Sequence, residues 1–228
     1  MADESMLKTL VDLAALTSQD GDIEDTAEAI VSLAQRTIDC DFAGLTVFGS
    51  RHRLTTLAPS HPIVEEADRL QYQLREGPCA EAAWEQDTFV SNNLMDDSRW
   101  PTWGPKATAL GMTSLLATRL SNGERALGAL NLYSAGARDF TADDRDFAQI
   151  FARQAASTLD TIRQLETLRV AVDARTLIGQ AQGILMERFG LNAEQAFSVL
   201  RRYSQDRNVK LRNVAEDVIE SRTLPPPP

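Results

Sequence analysis

Residues 173–222, DARTLIGQAQGILMERFGLNAEQAFSVLRRYSQDRNVKLRNVAEDVIESR, hold three short amphipathic patterns divided by their own stop and start signals. In the first, Leu177, Ile178, Ala181, Ile184, Leu185 and Arg188 recur at helical spacing, and Gly190 closes the run as a helix C-terminus does. Asn192 opens the second, Gln195 three residues on completes a capping box, and the spacing predicts one face shared by Ala193, Ala196, Phe197, Leu200 and Ser204. Asp206, Arg207 and Asn208 break that pattern, after which Leu211, Val214, Ala215, Val218 and Ile219 form a third stripe. Helices this short are marginal alone, so the three must bury one another in a small bundle.

Upstream of the bundle, Thr141 is placed to cap a helix with Asp144 as its capping partner, and no Pro or Gly follows until Gly179. Phe147, Phe151, Ala155, Leu159, Ile162, Leu165, Leu168 and Val172 keep an apolar stripe along this segment. Its later part, Leu159, Ile162, Leu165, Leu168 and Val172, runs past any partner expected within the chain. That predicts a parallel two-helix coiled coil and hence a homodimer.

The first part of the chain mixes both periodicities. Two helical patterns run from about Met6 to Asp39, broken between Ser18 and Asp22. FAGLTVF, 42–48, alternates as a strand does, and 54–57 pairs with it as a hairpin. Helical spacing returns over 64–74, and Gly77 and Pro78 precede another helix. Phe89 and Val90 mark a brief strand, 114–120 and 126–133 two more, and Asn122-Gly123 the tight turn between the last pair. The sum is an α+β unit, a central antiparallel sheet with flanking helices, followed by a long linker helix and an all-α bundle.

Composition bounds the function. The 228 residues, 43% hydrophobic and 25% charged, can build a core without staples. The net charge of −10 is unevenly distributed: residues 161–222 hold ten Lys and Arg against eight Asp and Glu, and the rest thirteen against twenty-five. An acidic sensory part joined to a part that faces nucleic acid would show this asymmetry. Only Cys40 and Cys79 are present, no apolar run approaches the roughly 18 residues of a membrane span, and MADESMLKTL lacks the pattern of an export signal, so a cytoplasmic protein with reduced thiols is expected. No phosphate-cradling glycine loop, zinc motif or Ser-His-Asp order appears, nor a phosphorylatable receiver pattern, and covalent chemistry is not expected.

In their order and spacing, IGQAQGILMER, AFSVLRRYS and KLRNVAEDV resemble an ANTAR domain, a three-helix RNA-binding module of bacterial transcription antiterminators. Where that family usually carries a basic residue, this chain has Gln182, whose amide suits a base edge or a backbone oxygen. The earlier order of elements, with SRWPTWGPKATALGMTSLLATRLSNGERALGALNLYSAGARDFTADDRDFAQIFARQAASTL at 98–159, resembles a GAF domain, a signal-sensing module that binds unrelated cofactors or none. The two resemblances imply a GAF sensor over 1–159, a coiled-coil linker over 160–172, an ANTAR effector over 173–222 and a Pro-rich tail over 223–228. They imply a regulator that binds stem-loops in nascent mRNA and prevents a terminator hairpin from forming, with a small-molecule ligand for the sensor left unnamed.

Candidate residues follow. Arg175, Gln182 and Met186, at i, i+7 and i+11, lie within about 40° of one another on an exposed side of their helix. That side is either a solvated surface or a place where Arg pairs with phosphate, Gln reads a base edge and Met packs on a base. Arg201 flanks the stripe of the second bundle helix, Arg202 lies on its far side, and Lys210 and Arg212 open the third, where free backbone N–H groups also favour phosphate. Ala181 and Ala196 read as close helix contacts.

In the sensor, Cys79 stands at a helix N-terminus, which lowers a thiol pKa, or else is a small buried hydrophobe like Cys40. Trp84, Trp100 and Trp103 pack around the sheet, or Trp100 and Trp103 line a sensor pocket together with Cys79. His52 and His61 stand isolated on polar loops. Two rival functions follow from the same residues: a GAF-fold thiol enzyme of the free methionine sulfoxide reductase kind using Cys79 or Cys40, and a DNA-binding helix bundle. Loss of sulfoxide turnover on Cys79→Ser tests the first, and duplex DNA against hairpin RNA at matched salt tests the second.

Overall fold

The computed structural model describes residues 2–18, 21–49, 53–85, 88–123, 125–136 and 138–223, without the side chains of 2, 3, 84 and 85. His52, the Trp84 side chain and the tail at 225–228 lie outside that description. The chain divides into two units, 1–163 and 164–228, each taken by itself below.

In the first unit, helices α1 (Ala2–Ala15) and α2 (Ile23–Ile38) precede strands β1 (Phe42–Phe48) and β2 (Leu54–Pro59). Helices α3 (Pro62–Leu74) and α4 (Pro78–Glu85), strand β3 (Thr88–Ser91), helix α5 (Trp103–Ala109), strands β4 (Ser114–Ser121) and β5 (Ala126–Ser134) and the start of α6 (Ala142–Phe189) complete it. The sheet order is β2-β1-β5-β4-β3, with every neighbouring pair antiparallel. Helix starts are capped as the residue types dictate: Asp22 accepts from the Asp25 amide, the His61 ring nitrogen accepts from the Ile63 amide, and Thr141 and Asp144 cap each other reciprocally. His61 is thus a cap and a tilted ring partner for Phe42.

Strand alternation sends side chains to two separate cores. Leu116, Leu120, Leu130 and Leu132 meet α1, α2 and α6 through Leu13, Ile30, Ala34, Phe147, Phe151 and Leu159. Leu115, Ala117, Ala129 and Tyr133 face the other way, toward Val64, Cys79, Trp100 and Trp103 on α3, α4, α5 and the loop before α5. The sheet is therefore covered on both faces.

In the second unit the end of α6 is followed by α7 (Ala193–Arg207) and α8 (Leu211–Ser221). Ala181, Leu185, Ala196, Leu200, Val214, Ala215 and Val218 form its core, so the two alanines are close helix contacts. The Asn192–Gln195 capping box is present in both directions, Gly190 ends α6 at φ +64°, and α7 runs to Arg207 before Asn208 turns left-handed. Two residues of the expected face are corrected: Ala193 is exposed and Phe197 is 37% exposed, while Val199 and Tyr203 pack against the core. At 100° per residue Phe197 lies roughly 80° round α7 from the direction Ala196 and Leu200 set. Gly179 and Gly183, one turn apart on α6, have nothing within 4 Å of where a Cβ would stand.

Candidate functional site

Arg175, Gln182 and Met186 all sit on α6 within the second unit. Arg175 and Met186 are exposed, and among the described residues neither Arg175 nor Arg201 has an ion-pair partner. Gln182 is half-buried and donates from Nε2 to the Ala193 carbonyl at 3.0 Å, tying α6 to the start of α7. Its amide is therefore partly spent inside the bundle. Lys210 is the exposed N-cap residue of α8 with no side-chain cap bond, so the first turn of that helix keeps N–H groups without a side-chain acceptor. Arg212 instead pairs with Glu216 at 2.9 Å, and Arg202 with Asp206 at 3.5 Å, both one helical turn away on an exposed surface where such pairs are worth little. Phe189 and Phe197 add exposed aromatic rings that spacing alone had assigned to no site, and a helical wheel centred on the bundle core marks Phe197 as outward.

The apolar stripe of α6 needs a correction. Leu159 and Ile162 are each 3% exposed, covered within the chain itself, so the premise that they lack an intrachain partner fails. Uncovered apolar surface begins at Leu165, 39% exposed, and continues through Leu168 and Val172 at 61% and 62%. The helix period shows which residues share a face but not where a neighbouring element ends.

Inside the sensor unit, Cys79, Trp100 and Trp103 are fully buried. Trp100 donates its indole N–H to Glu81 and Trp103 donates to the Ala67 carbonyl, while the two rings meet edge-on at 6.1 Å. Packing, the first of the two alternatives, is what Trp100 and Trp103 do. The reactive alternative for Cys79 is also corrected: at the start of α4 its thiol is wholly desolvated, and burial pushes its pKa up, with the neighbouring Asp68 carboxyl adding to the effect. Burial likewise pushes Cys40 up to about 12.

Beside Cys79 lies a buried polar cluster. Asp68 accepts from the hydroxyls of Thr46 and Thr56 at 3.1 and 2.7 Å and from the Gln71 amide at 3.2 Å, and Asn131 donates to Thr46 at 3.2 Å. Burial drives the Asp68 carboxyl from the ordinary 3.8 up to about 6, against those hydrogen bonds. In the unfolded chain the proton leaves near the ordinary value, so this group destabilises the fold increasingly between about pH 4 and pH 6, by roughly 3 kcal/mol in all. Asp68→Asn should remove that fall. Asp97, held at about 2 by Arg99, acts in the opposite sense and at lower pH, so denaturation of variant and parent side by side from pH 4 to 7 isolates Asp68. An unchanged difference between the two proteins across that range would show that Asp68 is not charged there in the way its burial requires.

Among the described residues no cluster of His, Cys, Asp and Glu is arranged to hold a metal, and no helix is long and apolar enough to cross a membrane. Comparison with known proteins gives two family matches, a GAF domain over residues 20–160 and an ANTAR domain over 166–219. The nitrate regulatory protein of Klebsiella oxytoca is 28% identical over 81 residues, 36% of this chain and 20% of that relative, so the chain spans about one fifth of its length. Among solved structures, the GAF domain of a phosphoenolpyruvate-protein phosphotransferase from Coxiella burnetii aligns with a TM-score of 0.56 at 14% identity, covering 72% of this chain and 98% of that one. Free methionine-R-sulfoxide reductase from Neisseria meningitidis, in complex with its substrate, aligns with a TM-score of 0.55 at 14% identity, covering 70% and 91%. At such identities the likeness is one of fold.

Proposed function

Because the chain belongs to the GAF domain family and carries an ANTAR domain behind its sensor, we propose that it is a signal-responsive antitermination regulator that binds stem-loops in nascent mRNA as a homodimer. The observation that carries the RNA reading is the exposed α6 face, where Arg175 stands without an ion-pair partner among the described residues and Met186 lies near it on the wheel. Unpaired loop bases stack on such a guanidinium and thioether, and phosphates pair with Arg201 and with Lys210 at the start of α8. No bond is made or broken. Holding one RNA fold over its competitor by a few kcal/mol moves the equilibrium tenfold or more. The name of the Klebsiella oxytoca relative agrees with a regulatory role and supplies no ligand for this chain.

A base contact is worth roughly 1 to 3 kcal/mol, whereas a solvated helix residue contributes almost nothing. Arg175→Ala should therefore weaken hairpin binding about tenfold or more while leaving the melting temperature near that of the parent. Gel-shift titration across a salt series checks this, with Arg202→Ala as the control. Equal affinities for Arg175→Ala and the parent would remove α6 from the RNA surface.

A further inference from the structure

Gln182 fastens α6 to the root of a side chain on α7. Its Nε2 donates to the Ala193 carbonyl at 3.0 Å, and in a helix that carbonyl is also the acceptor for the amide four residues on, at Phe197. The carboxamide therefore lies beside the start of the Phe197 side chain, and the side of α6 that bears Gln182 and the side of α7 that bears Phe197 border one α6–α7 groove. Along α6, Arg175, Gln182 and Phe189 recur every seven residues and keep within about 40° of one line. Along α7, Arg201 follows Phe197 by one turn.

The two rings on this groove do not serve the core. Phe189 is 47% and Phe197 37% exposed, while the buried centre of the bundle is aliphatic throughout. Among the described residues neither ring meets another ring or a guanidinium, and neither Arg175 nor Arg201 has an ion-pair partner. Glu194, the carboxylate on this side of α7, stands in the first turn, where the helix N-terminus suits a negative charge. Open aromatic faces between two such guanidinia complement a flat, uncharged base on a charged backbone: the base stacks on a ring, and the phosphates on either side meet the arginines. An apolar protein segment laid on the same rings would cover those cations without a counter-charge.

We propose that Phe197 is the stacking platform for an unpaired RNA base, on a surface that crosses the α6–α7 groove from Arg175 to Arg201, with Phe189 extending it at the end of α6. The proposal rests on the RNA reading above and moves the centre of that surface from α6 alone to the groove.

The probe is an RNA hairpin of fixed stem and randomised loop, selected on the full chain and then remade with 2-aminopurine at each loop position in turn. One loop position should lose fluorescence on binding, as a stacked 2-aminopurine does. Phe197→Leu keeps an apolar side chain and removes the π-face, so it should weaken binding about tenfold or more and restore the fluorescence while the melting temperature stays near that of the parent. Phe197→Tyr, which keeps the face, should retain both binding and quenching. A Leu variant that binds and quenches like the parent, or a Tyr variant that loses as much as the Leu variant, overturns the platform and leaves the Arg175 reading standing. A Leu variant that sediments as a monomer where the parent is a dimer assigns the ring to a contact between copies, which overturns the platform too. No hairpin retained from the pool even at low salt overturns both readings.

Discussion

Gly128→Ala is expected to leave residues 1–163 unable to fold. A Cβ on Gly128 would stand 1.8 Å from the Thr46 carbonyl oxygen, 2.7 Å from its carbon and 2.8 Å from the Val47 Cα. All three are backbone atoms of β1, and Val47 is the register partner of Gly128 in the central β1–β5 pair, so no rotamer relieves the clash. Relief requires parting two strands that both cores depend on. Steric defects of this kind belong to the exceptional class above about 4 to 5 kcal/mol, comparable with the whole stability of a domain of roughly 5 to 15 kcal/mol. Circular dichroism and limited proteolysis should show the sheet lost and trypsin cutting freely within 1–163. Gly136→Ala is the control, since nothing lies within 4 Å of a Cβ there. A Gly128→Ala protein melting within a few degrees of the control would mean that β1 and β5 do not approach as described.

The second large effect is on assembly. If the proposed homodimer forms through the open part of the α6 stripe, Leu165→Asp with Leu168→Asp should leave monomers, because these residues are 39% and 61% exposed and continue that stripe with Val172. Burying two leucines per protomer contributes roughly 6 kcal/mol or more to a two-helix seam, which the substitutions remove, raising the dissociation constant by about four orders of magnitude. Ile162→Asp is the wrong probe. Ile162 is buried within its own chain, so a charge there destabilises the monomer and confuses folding with association. Sedimentation at micromolar concentration, with the melting temperature as a folding check, decides the matter. The same mass for parent and double variant would place any interface elsewhere.

Local signals carried much of the architecture. The Asn192–Gln195 box, the Thr141–Asp144 cap and Gly190 each act over three or four residues, and the structure has all three; the connection expected to turn tightly at Asn122-Gly123 instead spans 122–125 between β4 and β5. What distance along the chain conceals is different in kind. The helix N-terminus beside Cys79 argued for a lowered pKa, and only the surrounding core, assembled from α3, α4, α5 and the sheet, makes desolvation the larger effect. The Asp68 cluster draws on Thr46 and Asn131, 85 residues apart, and no periodicity brings them together. Leu159 belongs to a core and Leu168 does not, although both continue one stripe.

Gly179 and Gly183 set the mechanics of α6. Each glycine in a helix interior costs about 1 kcal/mol relative to alanine, and since neither lies against anything, packing returns none of it. The turn between them is a crease in an otherwise stiff rod, where bending meets least resistance and amide hydrogens first open to exchange with solvent.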